Sequence, residues 1–174
     1  MDRKMKTEGG FTLIELMVVV SIVVLLLTWG IPSYSTWKKK HDVENQMVQL
    51  YSNLQFGRMT GYCMKVVSGV YWGTGASIGT TTGYQIKYDN SNPLNNSIED
   101  AVDVQIGATV LPKYAITASA NQNSVSFDGR GFLNPANPIT FSVSPDFGAA
   151  MDCVAVSNTR ITLGKMSGSN CTPK

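Results

Sequence analysis

The sequence predicts an α+β protein, a long N-terminal helix followed by antiparallel strands, and three observations carry that expectation. The run from Phe11 to Ile31, FTLIELMVVVSIVVLLLTWGI, is apolar almost throughout. After Pro32 a proline-free stretch keeps a helical apolar rhythm as far as Val67. Gly, Ser, Thr and Asn then crowd the second half, as short strands joined by turns require. A chain of 174 residues suits one globular domain with a real core. The net charge of +2, with charged residues at 15%, is too near neutral to argue for nucleic acid or an acidic partner.

The apolar run comes first. Its 21 residues would span about 31 Å as a helix, close to the roughly 30 Å hydrocarbon thickness of a bilayer. Charge does not orient it, because Arg3, Lys4 and Lys6 on one flank face Lys38, Lys39 and Lys40 on the other. An ordinary secretory signal places a small-residue cleavage site after a shorter apolar segment, whereas here Gly9-Gly10 precedes the run. Cleavage there leaves the hydrophobic helix on the mature chain. Glu15 is the anomaly within it, since an ionised carboxylate in a membrane helix costs about 2.5 to 3.5 kcal/mol and usually has a role. Four residues from Phe11, it can snorkel to the headgroups. Alternatively, it neutralises the new ammonium of a neighbouring chain's Phe11 inside an apolar bundle.

Gly10-Phe11-Thr12-Leu13-Ile14-Glu15 followed by an unbroken apolar run resembles the class III signal of type IV pilins and type II secretion pseudopilins. The resemblance implies that a prepilin peptidase cuts between Gly10 and Phe11, that Phe11 is N-methylated, and that Glu15 guides assembly. It implies a pilin fold, with Pro32 as the family's helix-loosening proline; a proline there removes one backbone hydrogen bond in any case. Removing residues 1–10 leaves a net charge of +1. The expected organisation is a leader at 1–10, a transmembrane and assembly helix at 11–31, a helix continuing into the head at 32–67, and a β-rich domain at 68–174. A helix from Phe11 to Val67 would be about 85 Å long.

Within the second helical segment Val43, Met47, Leu50 and Leu54 share one face. A second set, Phe56, Met59, Cys63 and Val66, lies on the opposite face. One stripe is expected to pack on the chain's own sheet and the other to face neighbouring subunits, without the sequence saying which is which. Candidate strands are 84–88, 102–106, 114–118, 124–127, 139–143, 153–157 and 159–164. The segment Phe127-Asp128-Gly129-Arg130-Gly131-Phe132, the run Ile139 to Val143, the closing stretch Cys153 to Cys171 and the helical block Leu50 to Tyr62 are similar to the FimT/GspH-like branch of minor pilins and minor pseudopilins.

Three cysteines are an odd set for a domain folding in an oxidising compartment. Cys153 is expected to pair with Cys171, tying down the terminal segment, with Cys63 left as a small buried apolar residue. A bond from Cys63 to either of the others is the alternative. Their spacing does not suit zinc.

Other motifs fail on context. Gly73-Thr74-Gly75 through Gly79 resembles a nucleotide-binding loop, but no strand-to-helix crossover surrounds it. His41, the single histidine, sits between Lys40 and Asp42 on the helical stalk, where no Ser-His-Asp triad can assemble. Glu99, Asp100 and Asp103 match no EF-hand and read as a polar loop. The chain is thus expected to be a structural subunit of a type IV pilus or type II secretion pseudopilus, a minor initiating or tip pilin. It is expected to have no enzymatic activity, cofactor, metal or small-molecule substrate. Its partners would be other pilins or pseudopilins, prepilin peptidase and the inner membrane, with the head in the periplasm before assembly into a filament. The alternatives are a major pilin and a DNA receptor for natural transformation. Arg160 and Lys165 are the only cations where the receptor reading needs a basic loop, and two cations give little phosphate contact.

Overall fold

A computed structural model describes residues 10–73, 75–91, 93–143 and 147–174, without the side chains of residues 29–32. The expectations placed on leader residues 1–9 and on the side chain of Pro32 fall outside these. Two compact units are present, Met1–Lys38 and Lys39–Lys174. One helix assignment, α1, covers Leu13–Met64. Eleven strands follow among the described residues: β1 (Ser68–Tyr71), β2 (Ser77–Ile78), β3 (Tyr84–Tyr88), β4 (Val104–Val110), β5 (Ile116–Ala118), β6 (Ser124–Phe127), β7 (Leu133–Asn134), β8 (Ile139–Val143), β9 (Cys153–Val156), β10 (Ile161–Ser167) and β11 (Asn170–Pro173).

In the second unit the strands form two antiparallel sheets, β4-β3-β1-β6-β7 and β11-β10-β9-β8-β5-β2. Alternation drives the burial. In β8 Ile139, Phe141 and Val143 point inward while Thr140 and Ser142 do not, the period-2 signature of a half-buried strand. Val43, Met47, Leu50 and Leu54 of α1 join the same core as Val70, Ile78, Tyr84, Phe127, Phe141 and Val154, so one apolar interior serves the helix and both sheets. Trp72 meets Phe141 edge-on at 5.4 Å, and its indole Nε1 donates to the Gly75 carbonyl at 3.0 Å.

The buried face of α1 corrects one expectation. Beyond Leu54 it passes through Gly57 and Gly61, not through Phe56, Met59 and Cys63, and Cys63 is exposed. The reason is close approach. A Cβ on Gly57 would lie 3.1 Å from the Cα of Gly69 in β1, and one on Gly61 would lie 3.1 Å from the Val66 carbonyl oxygen and 3.3 Å from that of Phe127. Glycine lets the helix lie this near the strand without displacing either backbone. The helix also stops at Met64, short of the expected Val67, because Lys65 turns to φ 59° and Ser68 starts β1.

Polar side chains pin the helix to the loops of this unit. Gln46, buried, donates from Nε2 to the Tyr114 carbonyl at 2.8 Å and accepts the Tyr114 N–H on Oε1 at 2.9 Å, copying a strand pairing. Glu44 accepts the Ala150 N–H at 2.7 Å, and Asp42 takes the Lys113 ammonium. At the far end Cys153 in β9 is bonded to Cys171 in β11. The sheet edges are short or distorted. β2 and β7 have two residues each, and β4 inserts residues 107–109 opposite Gln85 alone, a bulge with Gly107 at φ 75°.

Candidate functional site: the N-terminal assembly segment

Gly10 is exposed, and a Cβ there would meet nothing within 4 Å. Its small size therefore answers no packing need among the described residues. The helix begins three residues later, at Leu13, with Thr12 as its cap: Thr12 Oγ1 accepts the Glu15 N–H at 3.3 Å, and the Thr12 carbonyl accepts from Leu16 at 3.2 Å. Thr-x-x-Glu is the spacing of a capping box, and an acidic residue in the first turn also suits the positive end of the helix dipole. The cap uses the Glu15 backbone N–H, while its carboxylate is the lone acid of residues 13–28.

The surface of this segment is apolar and uncovered. Phe11 is 83% exposed, and Leu13, Ile14, Leu16, Met17 and the valines and leucines to Leu27 are all exposed. A continuous apolar surface of that extent needs lipid or protein around it. Its hydroxyls make no demand on water: Ser21 donates to the Met17 carbonyl and Thr28 to the Val24 carbonyl, each at 2.8 Å. Among the described residues no single helix is long and apolar enough to cross a membrane; Leu13–Thr28 and Ser33–Met64 pass that test taken together.

The second unit contributes an exposed helix face and a charged loop. Met59 (62% exposed) and Tyr62 stand out from α1 and, with Gln55, Arg58, Arg130 and Gly131, line an open groove of about 280 Å³. Lys65 lies 4.0 Å over the Tyr62 ring, and Arg58 donates to the Thr159 carbonyl at 2.9 Å. Asp128 organises the adjacent turn, accepting the Arg130 and Phe132 N–H groups at 2.9 Å each and the Arg130 guanidinium. Burial alone would raise the Asp128 pKa, but the two backbone donors and the guanidinium outweigh it and hold the carboxyl below its ordinary range.

The remaining sequence candidates do not converge. Arg160 is exposed in a turn closed by Ser157, while the Lys165 ammonium on β10 is taken up by the Ala149 carbonyl at 3.0 Å. These two do not form a pair of open cations. His41 is exposed on α1, and among the described residues no group of His, Cys, Asp and Glu could hold a metal ion. Glu99, Asp100 and Asp103 sit in a polar loop where Ser124 donates to Glu99 at 2.8 Å and Asp103 accepts the Asp100 N–H at 2.7 Å. Gly73 and Gly75 adopt positive φ as turn residues around Trp72.

Residues 5–31 match the prokaryotic N-terminal methylation motif, which spans the Gly10-Phe11 junction, Glu15 and the apolar run. The fold is similar to a crystal structure of the Pseudomonas aeruginosa type IV minor pilin FimU, with a TM-score of 0.54 at 15% identity over 78% of this chain and 96% of that one. The chain is type IV pilin-like. A second crystal form of FimU gives a TM-score of 0.46 at 16% identity, over 74% of this chain and 96% of that one. No curated protein matches the sequence. For a pilin-like chain the motif implies a membrane-anchored precursor, processing by prepilin peptidase and assembly with other pilins. The cap at Thr12 places the helix start just beyond the Gly10-Phe11 junction.

Proposed function

We propose that this chain is a minor subunit of a type IV pilus, an initiating or tip pilin assembled through its N-terminal helix. The observation that carries the reading is the uncovered apolar helix beginning just past Gly10-Phe11 and carrying Glu15 in its first turn. Cleavage leaves an ammonium at Phe11 in the same layer as that carboxylate. The precursor sits in the inner membrane with its head in the periplasm, and filament formation moves the apolar surface from lipid to neighbouring helices. Glu15 then faces the Phe11 ammonium of the adjoining subunit. The likeness to a solved minor pilin favours the minor role over the major one. The exposed stripe of Met59 and Tyr62 supplies the head's contact face. Engagement of Lys165 by Ala149 weighs against the DNA-receptor alternative.

The test is Glu15→Leu expressed at matched membrane levels, scored by recovery in sheared filaments and by binding to partner pilins. Processing and head folding are expected to be normal and incorporation poor, since losing one member of a buried pair costs about 3 to 5 kcal/mol. Wild-type recovery with normal partner binding would refute the role of Glu15. Recovery only in a secretion-system pseudopilus would move the chain to that machine.

A further inference from the structure

Tyr34 and Trp37 stand on one face of α1 in the first unit, 61% and 59% exposed, with ring centroids 6.1 Å apart, and Lys38 follows them exposed to solvent. None of this is explained by the core, which begins at Val43. Tyr34 and Trp37 lie 23 and 26 residues beyond Phe11, or about 35 and 39 Å of helix. With Phe11 at one edge of a hydrocarbon layer of about 30 Å and the helix at an ordinary tilt of about 20°, these lengths project to about 32 and 37 Å. Side chains that lean back toward the N-terminus bring both rings into the opposite headgroup zone, which ends about 35 to 37.5 Å from Phe11. Ser33, Ser35 and Thr36 share that zone. Rings with an apolar body and a polar tip are suited to this depth, and a lysine beside them meets phosphate.

We propose that Tyr34, Trp37 and Lys38 form an interfacial anchor that seats the unassembled subunit in an anionic phospholipid headgroup layer on the side away from Phe11. Of the three adjacent lysines, Lys38 carries this contact. Lys39 lies 5.9 Å over the Phe147 ring, and the Lys40 side chain borders Gly148, so both are occupied in the second unit. The anchor sets the depth at which a subunit waits, and entry into a filament must strip it from the headgroups.

The inference rests on the reading of residues 11–31 as a membrane helix, and the experiment separates the two. Full-length protein is reconstituted into phosphatidylcholine vesicles containing phosphatidylglycerol, with nitroxide labels in the headgroup or at the acyl-chain end. Flotation reports insertion; the fluorescence lost on Trp37→Phe reports Trp37. Trp37 should be quenched by the headgroup label and spared by the chain-end label. A labelled phosphatidylglycerol should quench more than an equally dilute labelled phosphatidylcholine, by about fivefold in local enrichment for one lysine. Lys38→Gln should abolish that preference while leaving the depth unchanged. Floating protein whose Trp37 ignores the headgroup label, or shows no lipid preference, overturns the anchor and leaves the membrane helix standing. Protein that does not float overturns both.

Discussion

Replacing Gln46 tests how the helix is fastened to the rest of the second unit. Its amide satisfies both backbone groups of Tyr114 across 68 residues of sequence, at 2.8 and 2.9 Å, in a buried position. Gln46→Met keeps the length and apolar stem but removes both partners. Each hydrogen bond is worth about 1 kcal/mol net, and a buried group left unpaired costs about 1 to 3 kcal/mol, so a loss of about 2 to 4 kcal/mol follows. Gln46→Glu is the sharper variant. One oxygen still accepts the Tyr114 N–H, but the other turns a second acceptor on the Tyr114 carbonyl. Burial and that carbonyl oppose ionisation, so the carboxyl's folded pKa should rise above its unfolded value. Stability relative to wild type should therefore be regained as pH falls through that raised pKa and lost as it rises. Urea unfolding of the full chain in detergent, followed by near-ultraviolet circular dichroism, measures both. A Gln46→Met variant within about 0.5 kcal/mol of wild type, or a Gln46→Glu variant with no pH response, would refute the reasoning.

Intact-mass analysis of membrane-extracted protein should find a chain beginning at Phe11 with one added methyl group, and a mature chain still carrying Met1 would rule the processing out. Cys153→Ser with Cys171→Ser should cost up to about 3 kcal/mol in the chain-entropy account, read as a lower urea midpoint with an unchanged fold. Gly69→Ala should be far worse than a surface change, because its Cβ would sit 2.0 Å from the Val125 carbonyl oxygen; recovery of folded head at wild-type yield would contradict the packing. Tyr84, buried against Asn53 Nδ2 at 2.9 Å, has its pKa pushed up by burial to about 12, an effect the hydrogen bond only partly offsets. Its raised folded pKa means that its contribution is intact below its ordinary value of 10.0 and is lost as pH climbs toward 12, which ultraviolet phenolate titration should follow.

Long-period patterns were legible in the sequence and close contacts were not. The stripe Val43, Met47, Leu50 and Leu54 was readable because apolar side chains recur at helical spacing, and it is the buried stripe. Alternation marked β3, β6 and β8 at their observed bounds. Strand β1 escaped, since Ser68 and Gly69 have no apolar signal although both are buried at the centre of a sheet. Cys63 was misplaced for the same reason. Its apolar character and its place in a second stripe with Phe56, Met59 and Val66 suggested burial, whereas beyond Leu54 the packed face follows Gly57 and Gly61, chosen for the absence of a side chain. The N-terminal junction was the clearest signal, because its motif is contiguous in the sequence and needs no distant partner to be recognised. Gln46 was invisible, since nothing in a glutamine's neighbours announces a partner 68 residues away.

The unevenness of the sheet edges bears on crowding. Subunits gathered in a membrane patch or stacked along a fibre hold their heads at very high local concentration, where open strands would recruit one another into continuous sheets. Here β2 and β7 offer two residues each, β11 is tethered to β9 through its cysteine, and β4 is buckled at Gly107. None presents a straight ladder of free amides long enough to template a neighbour. In the proposed filament, contacts between heads would therefore be made by side chains rather than by strand pairing.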